Sequence, residues 1–257
     1  MITYRYGLIG WPVAHSSSPV LQNAAFAAHS LAATYELLAV EPEKLSEAID
    51  GLRQRQFSGF NVTVPHKEAV IKYLDDIDYE ANIIGSVNTV LNKDGKLIGY
   101  STDGYGLASA LARNFKLSLS GLRVMFLGCG GAARASAVYF AVQGVSKLIL
   151  VNRTLERAEA LAESIRVLDN SCEVSTLALS DEQAISQAMS EVDVLIQSTS
   201  LGLQENDALP FSPELIPLEL PIFDMIYGKN RFQELLLQRR QPFASGWDML
   251  IYQGCKS

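Results

Sequence analysis

The chain has 257 residues, 48% of them hydrophobic and 19% charged, with a formal charge of −7 at neutral pH. Such a composition is that of an ordinary globular protein, long enough to bury a large core in one or two domains without disulfides. The acidic balance excludes a nucleic-acid backbone as the main partner, although a local pair of arginines can still hold a phosphorylated cofactor.

Cys129, Cys172 and Cys255 are widely spaced, form no C-x-x-C and no zinc-type His/Cys pattern, and read as reduced thiols of a cytosolic protein. The opening Met1-Ile2-Thr3-Tyr4-Arg5-Tyr6-Gly7 lacks the charged-then-apolar layout of a secretory leader. The small-residue run from Ala135 to Val142 is too short to cross a bilayer. A soluble cytoplasmic chain with no membrane or nucleic-acid partner is expected; monomer and homodimer both stay open.

In chain order, Tyr6 to Ile9 predicts a strand and Pro19 to Ser30 a helix with Pro in its first turn. Thr34 to Val40 (strand), Pro42 to Gln54 (helix), Gly59 to Val64 (strand) and His66 to Leu74 (helix) follow. A second series begins with the strand Leu122 to Leu127 and runs through helix Ala132 to Gln143, strand Leu148 to Val151, helix Leu155 to Ser164 and strand Asp193 to Ile196. Strands alternating with helices of this length imply α/β architecture with parallel sheets. Two such series suggest two domains joined near the helical stretch Asp103 to Asn114, with the segment after Gly246 assignable to either.

Gly128-Cys129-Gly130-Gly131-Ala132-Ala133 fits G-x-G-x-x-G/A directly after a strand and before a helix. The first glycine permits the tight turn, the second lets backbone approach a pyrophosphate, and Ala133 is small enough for close helix–strand packing. The free N–H groups of the helix start then face phosphate. A dinucleotide with adenosine 2′-OH calls for Asp or Glu about 20 residues further on. Here Leu148-Ile149-Leu150-Val151 ends in Asn152-Arg153-Thr154, with Arg157 one turn later. Two guanidiniums and no carboxylate favour a 2′-phosphate, and hence NADP over NAD. The competing view makes Arg153 and Arg157 a solvated helix start, yet arginine opposes the helix dipole there.

The first series carries a different set of polar groups. Ser16 and Ser18 precede a helix, Asn61, Thr63 and Lys67 end a strand, and Asn88 and Asp103 follow in Gly85 to Val90 and Ser101 to Gly104. Taken singly, each reads as a cap or turn residue, with Ser18 capping the helix at Pro19 and Asp103 the next one. As a set they suit a small polyhydroxylated ligand.

Seven segments in order, G-x-P-x-x-H-S-x-S-P, G-x-N-V-T-V-P-H-K, G-x-V-N-T-V, T-D-G, G-x-G-G-A-A-R-A, N-R-T-x-x-R and G-x-x-M-L-I-x-Q-G, span Gly10 to Gly254. Together they resemble the shikimate dehydrogenase family. The resemblance implies a substrate domain over residues 1–103, a Rossmann-like NADP-binding domain over 104–245 and a C-terminal helix, 246–257, returning to the first. It places the active site in the cleft between them. By the same resemblance Ser16, Ser18, Thr63, Asn88, Tyr227 and Gln253 contact the substrate, and Lys67 and Asp103 are the catalytic pair. Gly128 and Thr199 contact the cofactor, Gly130, Gly131 and Ala132 line its diphosphate, and Asn152, Arg153, Thr154 and Arg157 surround the 2′-phosphate. Met225 and Gly246 lie near the nicotinamide.

The implied activity is reversible NADPH-dependent reduction of 3-dehydroshikimate to shikimate in chorismate and aromatic amino-acid biosynthesis. Lys67 would protonate the developing alkoxide, with His66 the neighbouring group able to substitute. The chain departs from the family pattern at Gln22-Asn23, where His-Asn is usual. It departs again at Gln197 to Leu203, where Asn-Ala-Thr-Ser-x-Gly-Met is usual. The family's last helix also runs about two turns further, which leaves Gln253 near a fraying end. Three rivals are weighed: a quinate dehydrogenase on the same fold, a non-catalytic sensor of pathway metabolites, and another Rossmann oxidoreductase. The last does not account for the first hundred or so residues.

Overall fold

A computed structural model describes residues 4–168, 171–204 and 206–257. Met1 to Thr3, part of the segment read above for a leader, lie outside the described residues. The chain divides into two compact units, residues up to Asp103 together with Gly254–Ser257, and Gly104–Gln253. The division falls after Asp103, and of the segment after Gly246 only the final four residues group with the first unit.

The first unit runs β1 (Tyr4–Gly10), α1 (Ser18–Ala28), β2 (Ala33–Ala39), a 3₁₀ turn (Pro42–Lys44) opening α2 (Leu45–Gln54), and β3 (Gly59–Val62). A second 3₁₀ turn (Ala69–Tyr73), β4 (Asp76–Ile77), α3 (Tyr79–Ile84), β5 (Thr89–Lys93) and β6 (Lys96–Tyr100) complete it. Sheet order is β2-β1-β3-β5-β6-β4. Leu45, Ile49 and Leu52 recur at helical spacing on α2 and are all buried against the core that contains Ile9, Phe57, Phe60 and Val62. Burying each contributes at most roughly 1.5–3 kcal/mol.

Two expectations are corrected here. This sheet is mixed rather than parallel, because β5 runs antiparallel to both β3 and β6. The cause is a two-residue hairpin at Asp94-Gly95, both with positive φ (54° and 88°), the turn chemistry that matches strand twist. The stretch His66 to Leu74 is not an α-helix; its bonds from Ile71 N to Glu68 O and from Leu74 N to Ile71 O close three-residue turns. The Lys67 carbonyl accepts from Val87 N–H at 2.9 Å, a bond across to the start of the Val87–Thr89 segment rather than along a helix.

The second unit begins with α4 (Asp103–Phe115), whose first residue is the last of the first unit. It continues through β7 (Arg123–Leu127), α5 (Gly131–Val142), β8 (Lys147–Asn152), α6 (Leu155–Arg166) and β9 (Glu173–Ala178). Then come α7 (Glu182–Ala188), β10 (Val194–Gln197), β11 (Ile222–Asp224), α8 (Arg231–Gln238), β12 (Phe243–Ser245) and α9 (Trp247–Lys256). Its sheet, β12-β11-β10-β7-β8-β9, is parallel throughout, as the alternation of elements predicts. Phe126, Leu150, Leu195 and Phe223 are buried in these strands, which accordingly read as continuous apolar runs.

No helix among the described residues is long and apolar enough to cross a membrane.

Candidate active site

In the first unit the carboxyl end of β3 is stitched to both neighbours. Thr63 N donates to Ile9 O on β1 at 2.9 Å, and Val62 N donates to Asn88 O at 2.8 Å. This brings Thr63, Asn88 and the loop after β1 to one edge of the sheet. A side chain at Gly10 would run into Thr63, so glycine there lets Thr63 sit close. In the loop, Ser16 Oγ donates to Ser18 Oγ at 3.1 Å. The capping role considered for Ser18 is not observed: Ser17 is the N-cap of α1, without a side-chain cap bond.

Lys67 Nζ lies 2.6 Å from Asp103 Oδ2, with the two side chains 15% and 7% exposed. Asn88 Nδ2 donates to the other carboxylate oxygen, Oδ1, at 2.9 Å, and to Thr102 Oγ1 at 2.9 Å. Asn88 Oδ1 in turn accepts from Thr102 N and from Thr89 Oγ1. Asn88 Nδ2 is thus directed at two protein acceptors, one of them the carboxylate of Asp103. Behind it, Tyr35 OH donates to Asn61 Oδ1 at 2.7 Å, and Asn61 Nδ2 reaches Asn88 O and Thr89 Oγ1. His66, the other proton carrier nearby in sequence, is 1% exposed with Nε2 2.7 Å from Val40 O, so it belongs to the core.

In the second unit, strand register lines up the residues expected at the cofactor. Val151, Leu127, Gln197, Asp224 and Ser245 are successive cross-strand partners at the carboxyl edge. One residue further along each strand lie Asn152, Gly128, Ser198, Met225 and Gly246. The carboxyl edge of a parallel sheet is where ligands of such folds bind.

Gly128 has φ +100°, and a Cβ there would meet Thr199 N at 2.9 Å, so both turn geometry and close approach demand glycine. At Gly130 and Gly131 a Cβ would meet nothing within 4 Å, which leaves open space over the backbone. Gly130 is the N-cap of α5 and, lacking a side chain, gives that helix start no side-chain cap bond. Cys129 N donates to Asn152 Oδ1 at 3.1 Å, and Asn152 Nδ2 donates to Thr154 O at 2.8 Å. Asn152 thus ties the glycine loop to the turn that carries Arg153. Arg153 and Arg157 are exposed. Among the described residues neither guanidinium takes an ion pair or hydrogen bond, and nor does that of Arg134 on the first turn of α5. An open glycine cradle, a free helix start and unneutralised guanidiniums with no opposing carboxylate fit a 2′-phosphorylated dinucleotide.

At the far end of the edge, a side chain on Gly246 would collide with Met225 O, and Gly246 N donates to Ile226 O. The Tyr227 and Trp247 rings pack with centroids 4.9 Å apart. Gln253 lies in α9 with Nε2 2.9 Å from Leu250 O, and α4 passes close because a Cβ at Gly106 would meet Gln253 Cβ at 2.7 Å. Sequence reading did not single out a buried group beneath this edge: Asp224 accepts from Gln197, Ile226, Asn230 and Gln233. The available signal was a carboxylate ending an apolar strand, which also occurs at ordinary strand ends. No group of His, Cys, Asp or Glu among the described residues could hold a metal ion.

A two-unit α/β chain, with a Rossmann-type glycine loop in one unit and a Lys–Asp pair in the other, is the class of a nucleotide-dependent oxidoreductase. Residues 8–90 match the family model for the shikimate dehydrogenase substrate binding domain, and residues 110–204 the model for shikimate / quinate 5-dehydrogenase. The shikimate dehydrogenase (NADP(+)) of Bacillus cereus strain B4264 is 40% identical over 97% of this chain and 89% of its own length. Shikimate 5-dehydrogenase of Listeria monocytogenes, solved with shikimate and NAD, superposes with TM-score 0.89 at 31% identity, covering 99% of this chain and 90% of that one. The Thermus thermophilus enzyme, solved with NADP(H) and shikimate, gives 0.84 at 33% identity over 98% and 90%. The chain belongs to the shikimate dehydrogenase family.

Proposed function

We propose that this chain is an NADP-dependent shikimate dehydrogenase, reversibly reducing 3-dehydroshikimate to shikimate in chorismate and aromatic amino-acid biosynthesis. The observation that carries the reading is the Lys67–Asp103 pair, whose nitrogen and oxygen are 2.6 Å apart. Family membership and the naming of relatives as NADP(+) enzymes support it.

The residue assignments follow from chemistry at each edge. Residues 1–103 form the substrate domain, 104–245 the cofactor domain, and 246–257 serve the substrate side. Ser16, Ser18, Thr63, Asn88, Tyr227 and Gln253 serve as contacts to a ring bearing hydroxyls and a carboxylate. Gly128, Gly130, Gly131 and Ala132 border the diphosphate, Asn152, Arg153, Thr154 and Arg157 the 2′-phosphate, and Met225 and Gly246 the nicotinamide; Thr199 contacts the cofactor from the loop after β10. When bound, the dinucleotide supplies or takes up the hydride. Lys67 holds the proton: its ammonium stabilises negative charge developing on the carbonyl oxygen and passes a proton to it, and in reverse receives it. Asp103, fixed through one oxygen by Asn88, aims Lys67 with the other. The protein works in the cytoplasm on a small-molecule substrate, as a monomer or a homodimer.

Quinate oxidation is the second reading, favoured by the match of residues 110–204 to the shikimate / quinate 5-dehydrogenase family. Incubation of the protein with 3-dehydroshikimate and NADPH, with chromatography of the products, tests the proposal. Shikimate forming as NADPH disappears supports it; ligand binding without turnover would make the chain a sensor.

A further inference from the structure

Asp224 closes β11, is fully buried, and has no cationic partner among the described residues. Four neutral N–H groups converge on it. Asn230 Nδ2 and Gln233 Nε2 donate to Oδ2 at 2.9 and 2.8 Å, while Ile226 N and Gln197 Nε2 donate to Oδ1 at 3.1 and 3.3 Å. Burial pushes the carboxyl above its usual range, a cost that the four donors offset in part. An apolar strand end would avoid that cost, so the carboxylate has work that only an all-acceptor group performs.

What it fastens lies at the nicotinamide end of the sheet edge. Gln197, held on Asp224, accepts from Thr199 N through Oε1 at 2.6 Å and donates to Leu201 O. The Ile226 N–H held on Asp224 is the middle of the Met225–Tyr227 turn, and Gln233 Nε2 also donates to Ile226 O at 3.0 Å. Asn230 caps α8 through Gln233 N and packs against Gly202. One buried carboxylate thus joins two loops that are separate in sequence, 197–203 and 225–227.

We propose that Asp224, acting through Gln197 and the Ile226 amide, is a positioning residue that sets Thr199 against Met225 and Tyr227 to receive the nicotinamide end of the dinucleotide. This rests on the cofactor role of Thr199 and Met225 and the substrate role of Tyr227 under the proposed function. The adenosine end, at Asn152, Arg153, Thr154 and Arg157, is tied to the glycine loop through Asn152 rather than through Asp224. Gln197, where this chain departs from the family pattern, is one arm of the device.

The test uses two variants of the whole protein and two ligands, NADP⁺ and adenosine 2′,5′-bisphosphate, which fills only the adenosine end. Asp224→Asn turns one acceptor into an NH₂ facing donors; Gln197→Ala removes the one arm that reaches Thr199 and Leu201. Calorimetry should show NADP⁺ affinity falling about tenfold in each variant, the order of one or two lost hydrogen bonds, with bisphosphate affinity unchanged. Trp247 fluorescence should also shift in Asp224→Asn, because its ring packs on Tyr227. Unchanged NADP⁺ affinity in Gln197→Ala, or parallel loss of both ligands, would overturn the proposal. Should Asp224→Asn not fold, Gln197→Ala alone decides. A wild-type protein that binds neither ligand would overturn the underlying assignment, and the proposal with it.

Discussion

Asp103 meets two partners with its two oxygens, Lys67 at 2.6 Å and Asn88 at 2.9 Å, so its carboxylate cannot rotate without losing one of them. This fixes where the Lys67 ammonium stands relative to the edge that carries Thr63. Lys67→Ala should cut kcat about a hundredfold or more while the shikimate KM changes much less. His66→Ala should lower stability and leave kcat near normal, since its ring nitrogen serves Val40 O in the core. Steady-state kinetics and thermal melts of the two variants check this. The reverse pattern would make His66 the proton carrier.

Arg153 is exposed beside the glycine loop and takes no carboxylate partner among the described residues. Its replacement by alanine should weaken NADP⁺ by about ten- to a hundredfold, as expected for charge-assisted bonds of about 1.5–3 kcal/mol, and leave NAD⁺ nearly untouched. Equal losses for both, measured by KM, would mean that Arg153 holds adenine or the fold rather than phosphate.

The glycine loop was legible because strand, turn and helix stand in one short run of sequence, and so was the parallel order of the second sheet. The Lys67–Asp103 pair was reachable only through the resemblance, since 36 residues separate its members. The mixed first sheet was missed although Asp94-Gly95 carries the turn signal in plain view; the flanking strands are only five residues each. Asp224 was not legible. Its four donors come from positions 197, 226, 230 and 233, and only the side-by-side placement of β10 and β11 brings the first of them to it. The bonds from Asn88 Nδ2 to Thr102 and Asp103 likewise join residues 14 and 15 positions away and could not be read from sequence.

Cys129 occupies the variable position of the glycine loop, and burial pushes its thiol up to about 12. Burial penalises the thiolate, so at pH 8 the nucleophilic form is scarce and appears only as pH climbs toward that value. Iodoacetamide at pH 8 should label exposed Cys255 first, with Cys172, raised to about 11, and Cys129 following slowly. Peptide mapping reads the order. Rapid labelling of Cys129 in the native protein would show that the loop is more open than described.

Gly106 lets α4 and α9 approach, for a methyl there would meet Gln253 Cβ at 2.7 Å and Met249 O at 2.9 Å. Gly106→Ala should therefore displace Gln253 and raise the shikimate KM severalfold, with the NADP⁺ constant changed little. Gln253→Ala should raise it by an amount near the roughly 1 kcal/mol of a neutral hydrogen bond. If neither constant moves in Gln253→Ala, the residue is not a substrate ligand in this chain.

The central claim is that this protein oxidises shikimate with NADP⁺ as its preferred partner. It is tested most directly by kcat/KM for shikimate and quinate, each offered NADP⁺ and NAD⁺, with reduced cofactor followed by absorbance. The highest value should fall on shikimate with NADP⁺, and substitution of either quinate or NAD⁺ should lower it by about tenfold or more. Turnover greatest with quinate, greatest with NAD⁺, or absent with all four pairs would contradict the account.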